Sequence, residues 1–361
     1  MKRVPMPSAT TIRRTVSAAT LHTAEAQAAL AQAAALLRAG GTVAFPTETV
    51  YGLGANALSS AAVAGIFAAK QRPAWDPLIV HVSDTAMLAS VAEEISPTAR
   101  KLMNAFWPGP LTLLLPKHAH IPMEVTAGRP LVGVRMPAHP VARALIAAAQ
   151  LPIAAPSANR FGCVSPTTAA HVLEDLDGRI GMVLDGGPTE HGLESTVLEL
   201  REGRAIVYRA GAVALEALRA LLGHVELHQP IKQSTTPESL PSPGVGIRHY
   251  APRARLVLVD VSAGNDVQRE QAWLQAVRNV QQAAGRCGVL LPQGWPLPED
   301  FSGARFDWGR WDHAEELAQR LYAGLRALDA MQSAQILCPV PPAHDLGAAI
   351  HDRLQKAARE K

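Results

Sequence analysis

Short apolar runs of three to five residues recur between longer segments of helical spacing, from about residue 23 to the C-terminus. That alternation restricts the chain to an α/β class, in which strands build a sheet and the helices between them cover it. The rhythm lapses once. Residues 228–246 are rich in Pro, Ser, Thr and Gly and hold no hydrophobic period, which marks a domain boundary. With 361 residues, 48% of them hydrophobic, the chain can fill more than one core. The expected division is a flexible leader over 1–22, a first domain over 23–227, a linker over 228–253 and a second domain over 254–361.

In the first domain, Thr23 with Glu25 close behind opens an Ala/Leu-rich helix that stops at Gly40-Gly41. Strands are expected at 42–45, 78–82, 111–115, 131–135, 153–155, 182–184, 196–200 and 205–208. Helices are expected at 60–70, 97–106, 140–149, 167–176 and 214–222. Several connections are too short for a crossover helix, so the sheet should be mixed. In the second domain, strands at 255–259, 288–291 and 336–338 alternate with helices at 266–284, 313–328 and from 346, as in a small three-layer α/β unit.

Composition narrows the function. Aromatics are 4% and the net charge is +3, without the long Lys/Arg runs of a dedicated nucleic-acid binder. The cysteines, Cys163, Cys287 and Cys338, have no zinc or redox spacing, which fits a reduced compartment. The first twenty residues lack the apolar stretch of a signal peptide, although a weakly amphipathic targeting peptide is an alternative. No stretch approaches the roughly 20 apolar residues of a membrane span. A Gly-Lys-Ser/Thr phosphate loop and a Gly-x-Gly-x-x-Gly fingerprint are both absent.

Chemistry-bearing groups gather where strands end. Phe45-Pro46-Thr47-Glu48-Thr49-Val50-Tyr51-Gly52-Leu53-Gly54 is either a turn with exposed threonines or a ligand loop with close backbone approach. Lys70 and Arg72 end a helix just before Pro73. They complement its dipole or form a polyphosphate receptor of one point charge and one planar fork. Arg135 ends an apolar strand, where a buried guanidinium needs a carboxylate from a ligand or from the protein. His81 also ends an apolar strand, as a core histidine or a ligand-facing one. Ala155-Pro156-Ser157-Ala158-Asn159, with Ser165, is either a capping loop or a phosphate cradle. Glu194-Ser195-Thr196-Val197 and Tyr208-Arg209 complete the set. Hydroxyl, cation and Gly/Pro features repeating at successive strand ends point to one shared pocket.

Taken together, the Phe45–Gly54 segment, Lys70-x-Arg72, Ser157-x-Asn159, Ser195-Thr196-Val197 and Pro243-Gly244 through His249-Tyr250-Ala251-Pro252 resemble the threonylcarbamoyl-AMP synthase family in its long form, over nearly everything after residue 25. The resemblance implies an open, twisted mixed sheet of YrdC-like type with a smaller C-terminal three-layer α/β domain. It implies an enzyme, a nucleotidyltransferase, that makes threonylcarbamoyl-AMP and pyrophosphate from L-threonine, bicarbonate and ATP, with Mg²⁺ on the phosphates. By motif position it assigns L-threonine to Thr47, Thr49, His81, Arg135, Ala155 and Ser195. It assigns ATP to Lys70, Arg72, Asp76, Leu131, Ser157, Asn159, Ser165, Arg209 and Tyr250, with Lys70 and Arg72 the catalytic cations nearest the phosphates. Tyr250 would make the linker a lid. The product would pass to the tRNA threonylcarbamoyl transferase machinery in the cytoplasm, with at most a weak tRNA contact and no membrane.

Three positions depart from the family pattern. Asp76 stands in place of Asn and needs a metal or Lys70 to offset it, Leu131 replaces Thr and can contribute only backbone, and Ile247 replaces a linker Tyr. The competing readings are a YrdC-like carbamoyl-transfer protein, which would need further modules, and a non-catalytic RNA-binding module, which the scarcity of aromatics disfavours.

Overall fold

The computed structural model describes residues 10–228, 240, 242, 249–262, 265–284 and 286–359. Among them, a large sheet holds β1 (Ile12–Thr15), β2 (Val43–Phe45), β3 (Gly52–Asn56), β4 (Ile79–His81), β5 (Leu111–Pro116), β6 (Leu131–Arg135), β7 (Ile153–Ala154), β8 (Met182–Asp185), β9 (Thr196–Arg201), β10 (Arg204–Arg209) and β11 (Glu226–Leu227). Its helices are α1 (Ala24–Arg38), α2 (Ser60–Lys70), α3 (Thr85–Leu88), α4 (Pro97–Phe106), α5 (Met123–Thr126), α6 (Pro140–Ala149), α7 (Ala169–Leu176) and α8 (Leu215–Leu222). A second sheet holds β12 (Arg255–Asp260), β13 (Cys287–Pro292), β14 (Ala304–Gly309) and β15 (Gln335–Val340), with α9 (Asp266–Ala284), α10 (Ala314–Ala330) and α11 (Leu346–Ala358).

The large sheet is mixed, in the order β1-β8-β2-β3-β7-β4-β6-β5-β9-β10-β11. Short connections make antiparallel neighbours, as expected. The tightest is the β9–β10 hairpin, whose two-residue turn, Glu202-Gly203, has positive φ at both positions. Local signals start the helices where the sequence places them. Thr23 Oγ1 accepts from Ala26 N at 3.2 Å and Ser59 Oγ from Ala62 N at 3.3 Å. Ser96 Oγ accepts from Ala99 N at 3.2 Å, with Pro97 in the first turn.

Period-two alternation divides the core. Val43, Phe45, Met182 and Leu184 face α1 and α6, while Ala44 and Val183 join the opposite cluster with α2, α4 and α7. The second sheet is all parallel, in the order β12-β15-β13-β14. The two units share a core: Val50, Val164 and Leu193 of the first pack with Leu317, Tyr322, Leu325 and Leu354 of the second. Gly192 makes the contact possible, because it has φ +68° and a Cβ there would lie 2.5 Å from Gln319 Cα in α10.

The structure corrects the leader: within 1–22, Ile12–Thr15 is β1, parallel to β8. As an edge strand it exposes Arg13 and Arg14, so only Ile12 signals it. Strands β3, β11 and β14 are additions to the sequence reading. Of the linker motif, Pro243-Gly244 and Ile247 lie outside the described residues. His249 and Tyr250 lie within them, both buried.

β3 was hidden by its glycines, yet Gly54 is required there. A Cβ at residue 54 would stand 2.7 Å from both Ile153 Cγ2 and Phe45 Cε1. Gly54→Ala should therefore cost about 1–3 kcal/mol by overpacking, read as a lower urea midpoint with an unchanged m-value.

Candidate functional site

One cavity lies on the sheet face opposite the α2/α4/α7 core. The same alternation places its residues: on β4, Val80 enters the core while Ile79 and His81 face the cavity, and on β6 Val134 enters the core while Arg135 faces it. Its lining brings together Thr47, Thr49, Arg72, His81, Arg135, Ala155, Ser157, Ser195, Arg209 and Tyr250, all expected from the sequence. Glu194 and His249 join them.

At one end Arg135 is 3% exposed and finds its carboxylate within the protein. Its Nη2 lies 2.6 Å from Glu48 Oε1, Nη1 donates to Thr49 Oγ1 at 2.9 Å, and Nε to the Gly109 carbonyl at 3.2 Å. Thr47 Oγ1 bonds Thr49 Oγ1 at 2.8 Å and donates to the Val50 carbonyl at 2.7 Å, which folds the loop around the pair. Burial alone would raise the Glu48 carboxyl, but the charge and hydrogen bond of Arg135, with backbone hydrogen bonds, hold it below its ordinary value. Glu48 is the residue the sequence reading left without a role. The signal for it was the demand of Arg135 for a partner.

At the other end Arg72 is a buried side chain 2.9 Å from Asp76 Oδ2, and it donates to the Asp76 and Pro77 carbonyls. Arg72 thus supplies Asp76 with a counter-charge beside the metal or Lys70 expected from the sequence. Between the two ends, Arg209 donates through Nε to the Ser195 carbonyl and through Nη2 to Ser195 Oγ, both at 3.0 Å. Ser195 Oγ is also 2.8 Å from Thr112 Oγ1.

The remaining predicted residues stand behind the wall. Lys70 is buried and its Nζ donates to the carbonyls of Ser157 and Asn159, bracing the cradle loop. Burial, followed by the charge of Arg72, pushes its ammonium down to about 7. Asn159 Nδ2 donates to the Arg160 and Cys163 carbonyls, and Ser165 Oγ to Glu194 Oε1 at 2.6 Å. Leu131, at the far end of β6, packs against Leu114, Val197, Ile206 and Tyr208. Among the described residues no group of three or more His, Cys, Asp or Glu could hold a metal ion.

Comparison with known proteins gives a consistent result along the chain. Residues 35–211 match a family model described as Telomere recombination, the Sua5–YciO–YrdC family, and residues 213–359 match one described as Threonylcarbamoyl-AMP synthase, C-terminal domain. Threonylcarbamoyl-AMP synthase of Pyrococcus abyssi is 41% identical, over 90% of this chain and 93% of its own length. That of Bacillus subtilis is 43% identical, over 91% and 92%. The crystal structure of P. abyssi Sua5 complexed with L-threonine superposes with a TM-score of 0.85 at 38% identity, covering 97% of each chain.

Two cavity histidines set a pH dependence. Burial, with the positive charge of Arg135 for His81 and of Arg72 for His249, pushes both down to about 3. The unfolded chain protonates them near pH 6.5 and so binds more protons than the folded one between about 6.5 and 3, and stability must fall as pH falls through that window. Urea unfolding at pH 7.5, 6.5 and 5.5 should show this decline, at up to about 1.4 kcal/mol per pH unit for each histidine. His81→Gln should make the slope shallower.

Proposed function

The chain belongs to the threonylcarbamoyl-AMP synthase family, and from that we propose that its cavity joins L-threonine, bicarbonate and ATP into threonylcarbamoyl-AMP and pyrophosphate. The protein is an enzyme of tRNA modification, and L-threonine and ATP are its substrates. The observation that carries the site assignment is the arrangement of three arginines, Arg72, Arg209 and Arg135, along one wall that also presents Thr47, Thr49, Ser157 and Ser195.

Arg135 and the hydroxyls around it suit the amino acid. Its guanidinium has five N–H donors, of which Glu48, Thr49 and Gly109 take three, so donors remain for the substrate carboxylate. His81, held neutral by burial, offers the substrate a neutral face rather than a second positive charge. Arg72, with Ser157, Arg209 and Tyr250, suits the nucleotide.

The amine of threonine attacks the bicarbonate carbon, and water leaves to give a carbamate. A carbamate oxygen then attacks the α-phosphorus of ATP, and pyrophosphate leaves, which makes the enzyme a nucleotidyltransferase. These residues position the reactants and neutralise charge, with no covalent step of their own. Lys70 acts at one remove, by holding the carbonyls of Ser157 and Asn159. Mg²⁺ would arrive as the ATP complex, because Glu48, Asp76 and Glu194 are each already paired with an arginine. The mixed anhydride then passes to the transferase machinery acting on tRNA. No helix among the described residues is long and apolar enough to cross a membrane.

Pyrophosphate release from MgATP and bicarbonate should depend on L-threonine and be much weaker with L-serine. Arg135→Ala and Lys70→Ala should each lower it by about a hundredfold, the usual effect of losing one preorganised donor or of misplacing a reactant. Release indifferent to the amino acid would sink this reading.

A further inference from the structure

Among the described residues, the second domain lends no side chain to the cavity lining, yet two of its residues hold residues that do. Glu194 is 6% exposed and immediately precedes Ser195. Its Oε2 accepts from Arg353 Nε of α11 at 2.8 Å and from Tyr322 Oη of α10 at 3.0 Å, while Oε1 accepts from Ser165. Arg353 is 1% exposed and also lies over the Tyr250 ring, its Cζ 5.1 Å from the centroid. Tyr322 stacks on the same Tyr250 ring, with ring centroids 5.7 Å apart and planes 22° apart. Tyr250 has φ +64°, a conformation unfavourable for a bulky residue, and surrounding contacts must hold it there.

A buried ion pair of this kind is poor evidence for stability in itself, since a well-packed apolar pair would serve as well or better. Its placement is the informative feature, because Glu194 and Tyr250, which Arg353 and Tyr322 both touch, face the substrate cavity. The backbone at Glu194 is closely packed: a Cβ at Gly211, two residues after Arg209, would lie 2.4 Å from the Glu194 carbonyl oxygen.

On the functional reading above, we propose that Arg353 and Tyr322 are positioning residues for the nucleotide end of the site, through which the C-terminal domain sets the geometry of Glu194, Ser165 and Tyr250. The supporting electrostatics agree: burial would raise the Glu194 carboxyl, but the charges of Arg353 and Arg209 keep it below its ordinary value, so it remains an acceptor at neutral pH.

The test measures KM for ATP and for L-threonine, kcat, ATP affinity by calorimetry, and thermal midpoint in the full-length protein. Arg353→Met should raise KM and Kd for ATP about tenfold, a loss of about 1.4 kcal/mol, with KM for L-threonine changed by less than about threefold, and it should lower the thermal midpoint because buried Glu194 loses its ion-pair partner. The double variant Glu194→Gln/Arg353→Met removes both charges and should recover the midpoint while ATP binding stays weak. Tyr322→Phe, which deletes a single hydroxyl, should raise KM for ATP about threefold and keeps the test alive if Arg353→Met does not fold. A double variant that regains both midpoint and ATP affinity, or single variants with unchanged ATP binding, would reduce the pair to a structural tie and overturn the proposal. An inactive wild type would defeat the synthase reading instead, and the calorimetric ATP affinities would still decide this one.

Discussion

Burying an arginine commits a protein to supplying its counter-charge, because a guanidinium does not shed its proton. This chain meets that demand three times around one cavity. Arg135 at the end of β6 meets Glu48 in the loop after β2, Arg72 beyond α2 meets Asp76 before β4, and Arg353 of α11 meets Glu194 before β9. Each pair ties together segments that the sheet alone would leave loosely related. The first fixes a strand end to a loop, the second fixes the turn between α2 and β4, and the third fixes one domain to the other. The three ties brace the walls of the cavity, which the side chains between them complete.

Much of the fold was legible because its signals are local. Ser96-Pro97 announces α4, Ser59 announces α2, and the apolar run of Leu131–Val134, closed by Arg135, announces β6. The strands that escaped are those whose residues answer to distant partners. β3 carries glycine at 54 because Phe45 and Ile153 press on it from neighbouring strands, and small residues carry no strand signature of their own. β1 and β14 are sheet edges, where Arg13, Arg14, Arg305 and Asp307 face outward and break the apolar pattern.

The site was legible in its residue types and less so in its pairings. That Arg135 needs a carboxylate follows from strand burial. That the carboxylate is Glu48 depends on how the 46–51 loop folds back, which Thr47 decides by its own hydrogen bonds. Lys70 and Arg72 looked equivalent, being two residues apart at a helix end. Between them Gln71 takes the left-handed conformation, φ 55°, and this single turn sends Lys70 to the Ser157–Asn159 backbone and Arg72 to the cavity. No spacing rule distinguishes two cations across such a residue.

The orientation of the three pairs bears on what the cavity can hold. In two of them the arginine lines the cavity and the carboxylate stands behind it, so the wall presents the positive end of a neutral dipole. A surface of that kind attracts carboxylate and phosphate without the cost of gathering unpaired cations in a buried place. In the third pair the order is reversed: Glu194 lines the cavity and Arg353 stands behind it. A cation so placed cannot be an anion receptor, and its influence must pass through the carboxylate and the Tyr250 ring that it holds. The C-terminal domain thus stands in a different relation to the chemistry from the sheet, acting on the wall rather than on the ligand.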